Sequence, residues 1–332
     1  MRVPLSWSVL SAVCLLSCAS SGGSAGGRVD LRDPNPDVIY VAGVPFHTGT
    51  RVVTWREKGA YDAYLERCHF DREAILPRNP AAGCNTPKRY GRRGLEGLDP
   101  ATRERVEARG FDLAALRERV DLFVLHYDVC GTSRRCFQVL HDLRGLSVHF
   151  LLDLDGTIYQ TMDLSERGRH ATIANDRSIG VEIAQMGAWP DLRVLREWYV
   201  PDGSGGVRIR LPLEGGDGGL RRPDLLLAPR RQDLFEGEIN GRRVVQYDFT
   251  PQQYEALVHL TRALHRALPA IRIRVPRTPD GEVLRRALTS DEFRSFQGIV
   301  GHFHVQRNKV DPGPAFDWDL LLRAAREPVE RP

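Results

Sequence analysis

Lysine is almost missing from this chain. Of the 47 basic side chains in its 332 residues, only Lys58, Lys88 and Lys309 are lysines; the rest are arginines. They are scattered rather than gathered into a patch or stripe, and 43 acidic residues leave a formal net charge of only +4. That distribution lacks the electrostatic footprint of a nucleic-acid binder, so no nucleic-acid partner is expected. Long apolar runs are also scarce: beyond Leu16 no stretch is long and apolar enough to span a bilayer. There is no internal repeat, and no Cys-x-x-Cys pair, which weighs against a zinc site built from cysteines. What is present, 42% hydrophobic residues over this length, suffices for a real core and for one large or two modest domains.

The N-terminus reads as a processing signal. Arg2 is followed by an apolar stretch from Val3 to Leu16 that ends in Leu15-Leu16-Ser17-Cys18. This resembles a bacterial lipobox, in which cleavage precedes a cysteine that is then lipidated. Residues 1–18 are therefore expected to be a lipoprotein signal peptide with Cys18 as the lipidation site. Residues 19–30, rich in Gly and Ser, read as a flexible tether. The expected location is the cell envelope, through a lipid anchor in the membrane. Ala19 rather than Asp after Cys18 resembles the bacterial sorting preference that implies the periplasmic face of the outer membrane where the cell has one. Four cysteines remain in the exported part, and an even number there reads as two disulfides. Sequence proximity favours Cys68–Cys84 and Cys130–Cys136, and chain entropy gives the former about 3 kcal/mol.

Residues 31–119 carry no readable motif and form an N-terminal region of unknown role. Short strands are expected at Val38–Ala42 and Thr50–Trp55, and Asp112 caps a short helix. From residue 120 the pattern sharpens. Leu122–His126, Val148–Leu154 and Ser178–Ala184 suit buried strands, residues 134–143 suit a helix, and Asp155-Gly156 marks a hairpin turn. Residues 187–248 are a Gly/Pro-rich insertion with hairpin-like pieces. Thr250 caps an amphipathic helix with Pro251 at its first position, and Tyr254, Leu257, Val258, Thr261, Leu264 and Leu268 on one face. A last helix follows Asp317. Strands mixed with helices imply an α/β fold with a central sheet.

Gly301 to Pro314 puts His302, Lys309 and Asp311 on one turn-rich loop closed by Pro312-Gly313-Pro314. A composition that avoids lysine keeps one here, where a compact ammonium differs from a planar guanidinium. His126 stands at the end of a core strand. Two imidazoles and a carboxylate, with a fourth position left open, are the ligand pattern of a catalytic zinc site.

Six blocks strengthen that set: Val124-Leu125-His126-Tyr127, Ser147-Val148-His149-Phe150, Asp155 to Gln160, Arg169-His170-Ala171, Asn175 to Glu182, and Gly301-His302 through Lys309 to Trp318. In type and order they resemble the type 2 N-acetylmuramoyl-L-alanine amidases, over about residues 121–325. The resemblance implies a mixed central β-sheet flanked by helices, with a zinc amidase domain at 120–325. It implies Zn2+, one per chain, on His126, His302 and Asp311, with Glu182 and Lys309 catalytic. His302 rather than His304 is the ligand because it follows Gly301 as in the family motif. His170 matches a family histidine near the cleft, as a substrate contact or a buried imidazole. Where some members use a tyrosine beside the His-Phe pair, this chain has Val148, which leaves the base work to Glu182. Cys130 and Cys136 resemble the small disulfide of the peptidoglycan recognition proteins. The N-terminal region and the long insertion depart from the minimal family domain.

The resemblance implies hydrolysis of the amide between N-acetylmuramic acid and L-alanine, in peptidoglycan or muropeptides, by a monomer. Two other readings share these residues: a non-catalytic peptidoglycan-binding receptor, and a zinc peptidase acting on cell-envelope peptides. His149 is expected to pack, His141, His259 and His265 to lie on helix surfaces, and His47 and His69 show no partner in the sequence.

Overall fold

The computed structural model describes residues 36–70, 89–211 and 217–327. The expected signal peptide with Cys18, the tether and Cys84 lie outside them. The chain begins with strands β1 (Val38–Val41), β2 (Val44–His47) and β3 (Val52–Thr54), then helices α1 (Pro100–Arg109) and α2 (Leu113–Arg119). Strand β4 (Leu122–Tyr127), helix α3 (Ser133–Phe137) and strands β5 (Phe150–Leu152), β6 (Ile158–Gln160) and β7 (Ser178–Ile183) follow. The insertion holds α4 (Leu195–Trp198) and two hairpins, β8 (Tyr199–Pro201) with β9 (Val207–Ile209), and β10 (Phe235–Ile239) with β11 (Arg242–Gln246). Then come α5 (Pro251–Ala267), α6 (Ser290–Ser295), β12 (Gly298–Gly301), α7 (His302–Val305) and α8 (Trp318–Arg326).

Six strands make one mixed sheet in the order β12-β4-β7-β5-β6-β3, with helices packed against it. All neighbours run parallel except β5 and β6, which form the hairpin signalled by Asp155-Gly156. Strand alternation decides what faces where. Phe123, Leu125 and Tyr127 of β4 join Ile179, Val181 and Ile183 of β7 in the core cluster that contains Tyr254, Leu257, Leu260 and Leu264 of α5. The intervening residues, Leu122, Val124 and His126 on β4 and Ser178, Gly180 and Glu182 on β7, face the other way. Leu122 and Val124 there pack with Ala171, Ala174 and Val300.

Helix α5 is set by its ends and its stripe. Thr250 Oγ1 accepts from Gln253 N at 3.1 Å and Gln253 Oε1 accepts from Thr250 N at 3.0 Å, a capping box worth about 1 kcal/mol. Its expected apolar face is buried throughout, from Tyr254 to Leu268.

The N-terminal region is built into this domain. Strand β3 extends the sheet by pairing with β6. Arg93 is fully buried; its guanidinium donates to the carbonyls of Leu164, Asn175, Asp176 and Ser178, beneath the start of β7.

Three expectations change. The helix at 134–143 is α3 followed by a π-helical turn, Gln138–Arg144. The wider winding carries His141 inward, so it is buried rather than on the surface and pairs with Asp142 Oδ1 at 2.7 Å. Cys130 and Cys136 stand as two thiols, not a disulfide. Burial raises the Cys136 thiol pKa, and its contact with Cys130 adds to this. Cys68 is disulfide-bonded, and Cys84, its expected partner, is not among the described residues. Finally, His47 does have a partner, Asp37, 3.0 Å away.

Candidate metal centre

The centre lies at the carboxyl ends of three parallel strands, where α/β sheets place their ligands. Strand β4 ends at His126 and Tyr127, and β12 ends at Gly301 and hands the chain to His302 at the start of α7. Asp311 comes back to the same point, with Phe303 N donating to Asp311 O at 3.1 Å. His126, His302 and Asp311 are all buried and form the one His/Cys/Asp/Glu group able to hold a metal ion among the described residues.

Three atoms converge. His126 Nδ1 and His302 Nδ1 are 2.9 Å apart, and each is 3.0 Å from Asp311 Oδ2. The far nitrogens decide where the ring protons sit. His302 Nε2–H donates to Gln306 Oε1 at 2.6 Å, and His126 Nε2–H donates to His170 Nδ1 at 3.0 Å. With the protons on these far nitrogens, both Nδ1 atoms are free to turn a lone pair towards a cation beside the carboxylate. Three potential ligand atoms at this spacing can hold a cation. The donor set fits zinc: tetrahedral bonds of about 2.0–2.1 Å give ligand–ligand edges near 3.3 Å, so each edge needs to open by only about 0.3–0.4 Å. Burial, helped by His302, lowers the His126 pKa to about 4 and keeps the imidazole neutral, as a ligand must be.

Glu182 is the register partner of His126 on the adjacent strand, and side-chain alternation puts both on one face. Desolvation raises its pKa well above the usual carboxylate range, the carboxylates of Asp311 and Asp128 add to this, and Lys309 opposes them. Lys309 lies on the loop between the two late ligands, half-buried, close enough for its charge to act on both His126 and Glu182.

His304 is not in the triangle. Its Nδ1 accepts from Gly301 N at 2.9 Å and its Nε2 donates to Leu284 O at 2.7 Å, so it fastens the loop. His170 stands behind His126, on the ring edge away from the ligand atoms, with Ser178 Oγ 3.4 Å from its Nε2. That place suits orienting His126. A Cβ at Gly180 would overlap the His170 ring, so the close approach requires glycine there. His149, as expected, is packed at 0% exposure: its Nδ1 accepts from Gly180 N at 3.1 Å and its Nε2 donates to Glu166 O at 3.1 Å.

Sequence reasoning missed Arg93 and Asn240. Arg93 Nη2 lies 3.1 Å from His149 Nε2, behind the row His149, His170, His126. Asn240, at the β10–β11 turn, bonds the loop that carries Lys309. The Asn240-Gly241 pair was a readable turn signal; nothing local said where the turn would dock.

Two imidazole nitrogens and a carboxylate oxygen at the ends of parallel strands, with an acid on the same face, form a group able to hold a metal ion. The profile of the N-acetylmuramoyl-L-alanine amidase family, Amidase_2, matches residues 116–314. The chain belongs to that family and is an enzyme of the N-acetylmuramoyl-L-alanine amidase type. It is also similar to solved structures. One is a selenomethionine derivative of AmpD, at 18% identity over 63% of this chain and 86% of that chain, TM-score 0.31. Another is AmiD from E. coli in complex with the substrate anhydro-N-acetylmuramic acid-L-Ala-D-gamma-Glu-L-Lys, at 18% identity over 62% of this chain and 57% of that chain, TM-score 0.35. A third is the endolysin LysCS from Clostridium intestinale URNW, at 15% identity over 62% of this chain and 83% of that chain, TM-score 0.31. No curated protein matches the chain.

Proposed function

We propose that this chain uses zinc, held by His126, His302 and Asp311, to cut the amide between N-acetylmuramic acid and L-alanine in peptidoglycan or muropeptides. The observation that carries the reading is the convergence of His126 Nδ1, His302 Nδ1 and Asp311 Oδ2 with Glu182 in register beside it.

When bound, zinc acts as a Lewis acid that makes water ionisable near pH 7 and polarises a carbonyl oxygen. Glu182 takes the proton from the attacking water and passes it to the leaving amine. Its raised pKa suits the second transfer, while the added positive charge of the metal favours the ionised form needed for the first. Lys309 supplies an ammonium to the oxygen that becomes negative as the carbonyl carbon turns tetrahedral. His170 would hold His126 through its Nε2, leaving Nδ1 free to bind the metal.

The N-terminal signal supports an activity in the cell envelope, with Cys18 lipidated and the protein on the periplasmic face of an outer membrane. Purified protein is expected to carry about one zinc per chain. His126→Ala and His302→Ala lose it, and a chelator abolishes release of peptide from murein. Full zinc in His302→Ala with loss in His304→Ala would show that the ligand is His304.

A further inference from the structure

The loop from Gln306 to Val310 carries Lys309 and leads into Asp311 with no strand or helix of its own. Its shape is fixed from outside, by the second hairpin of the insertion. The β10–β11 turn is Asn240-Gly241, with φ of 51° and 75°, a two-residue connection that demands two left-handed residues. The Asn240 amide Nδ2 donates to Lys309 O at 2.9 Å, Phe303 O at 3.1 Å and Gln306 O at 3.3 Å. Its Oδ1 accepts from Ala287 N at 2.7 Å, and its backbone N donates to Arg285 O at 3.0 Å. Beside it, the Arg242 guanidinium donates to Asn308 O at 3.2 Å.

The far end of the hairpin grips the other side of Asp311. Gln246, fully buried, donates through Nε2 to Pro312 O at 2.9 Å and accepts through Oε1 from Ala315 N at 3.0 Å. At Gly313, where φ is 93°, any Cβ would overlap that amide. Lys309 and Asp311 are thus suspended between two side-chain amides of one hairpin, neither of which reaches the ligand triangle.

We propose that Asn240 is a positioning residue for the metal centre, setting the turn that presents Lys309 and Asp311. This rests on the reading of His126, His302 and Asp311 as zinc ligands. The insertion then has a defined role, which is to brace the metal loop from behind. The cost of losing Asn240 falls on metal affinity because three carbonyls lose their shared donor and the loop regains freedom, which spreads the distance between Asp311 and the two imidazoles.

Two variants of the full-length protein test this. Asn240→Gly keeps the turn and the bond to Arg285 O but removes the amide. Asn240→Asp keeps the shape and the acceptor for Ala287 N but replaces the donor with an anion facing three carbonyls. Zinc affinity is measured by competition with a chromophoric chelator, and coordination by the visible spectrum of the cobalt(II)-substituted protein. The expected result is zinc binding weaker by about 10-fold or more in both variants. The cobalt spectrum should also shift, with a melting temperature of the metal-free protein close to wild type. If Asn240→Gly melts early, Asn240→Asp decides. Wild-type affinity and spectrum in the folded variants overturn this proposal alone. A wild-type chain that binds no zinc overturns the metal reading on which it rests.

Discussion

His126 and Glu182 are Cα partners on neighbouring parallel strands, both on the sheet face turned away from α5. One strand step either way would send one of them into the apolar core, since side-chain direction alternates with period 2. The proposed metal ligand and the proposed proton carrier therefore share a geometry that the sheet register itself enforces, and the division of labour between them can be tested.

Glu182→Gln keeps the size of the side chain and removes its ability to carry a proton. Zinc content is expected to match wild type while turnover falls by about 10²- to 10⁴-fold. Lys309→Ala is expected to lose about 10²-fold or more in kcat, and Lys309→Arg to be impaired despite keeping the charge. Metal analysis beside steady-state kinetics checks both. Zinc loss in Glu182→Gln would mean that the carboxylate is a ligand.

His170→Ala removes the acceptor for His126 Nε2–H. Metal affinity is expected to drop by about 10- to 100-fold. A raised KM for muropeptide at unchanged zinc affinity would instead return His170 to the role of substrate contact.

His149 gives the clearest pH signature. Burial and the Arg93 charge lower its pKa from 6.5 to about 3, and both ring nitrogens are already engaged in the neutral form. A folded pKa below the unfolded one means that the unfolded chain binds the extra proton. The stability tied to His149 is complete above about pH 6.5 and is lost progressively as pH falls towards 3. Imidazole nitrogen NMR shifts at pH 5 should show a neutral ring; a charged one at that pH would contradict this placement of the proton.

Much of the centre could be read in the sequence because its parts sit in short local motifs: His126 ends an apolar strand, Glu182 lies in one, and His302 to Asp311 share a loop. Helix α5 announced itself through its capping residues and stripe. What stayed hidden depends on contacts between distant segments. Arg93 reaches His149 across 56 positions, and Asn240 reaches Lys309 across 69. His141 was misplaced for a different reason: a 3.6-residue period does not apply in a π-helical turn. Proximity and likeness predict a Cys130–Cys136 bridge, and the two side chains stand as free thiols.

The anchor is tested by Cys18→Ser. Several acyl chains at about 0.8 kcal/mol per buried methylene hold a lipoprotein firmly, so wild type is expected in the membrane fraction and the variant in the soluble one. Equal membrane association of the two would refute lipidation at Cys18.

The bond that is cut can be read directly by mass spectrometry of murein and soluble muropeptides after digestion by the zinc-loaded protein. The account predicts stem peptides with a free L-alanine amine and uncut glycan chains that have lost their peptides. Cleavage within the stem peptide would make the chain a peptidase. Binding with no peptide released, at full zinc occupancy, would make it a receptor and contradict the account.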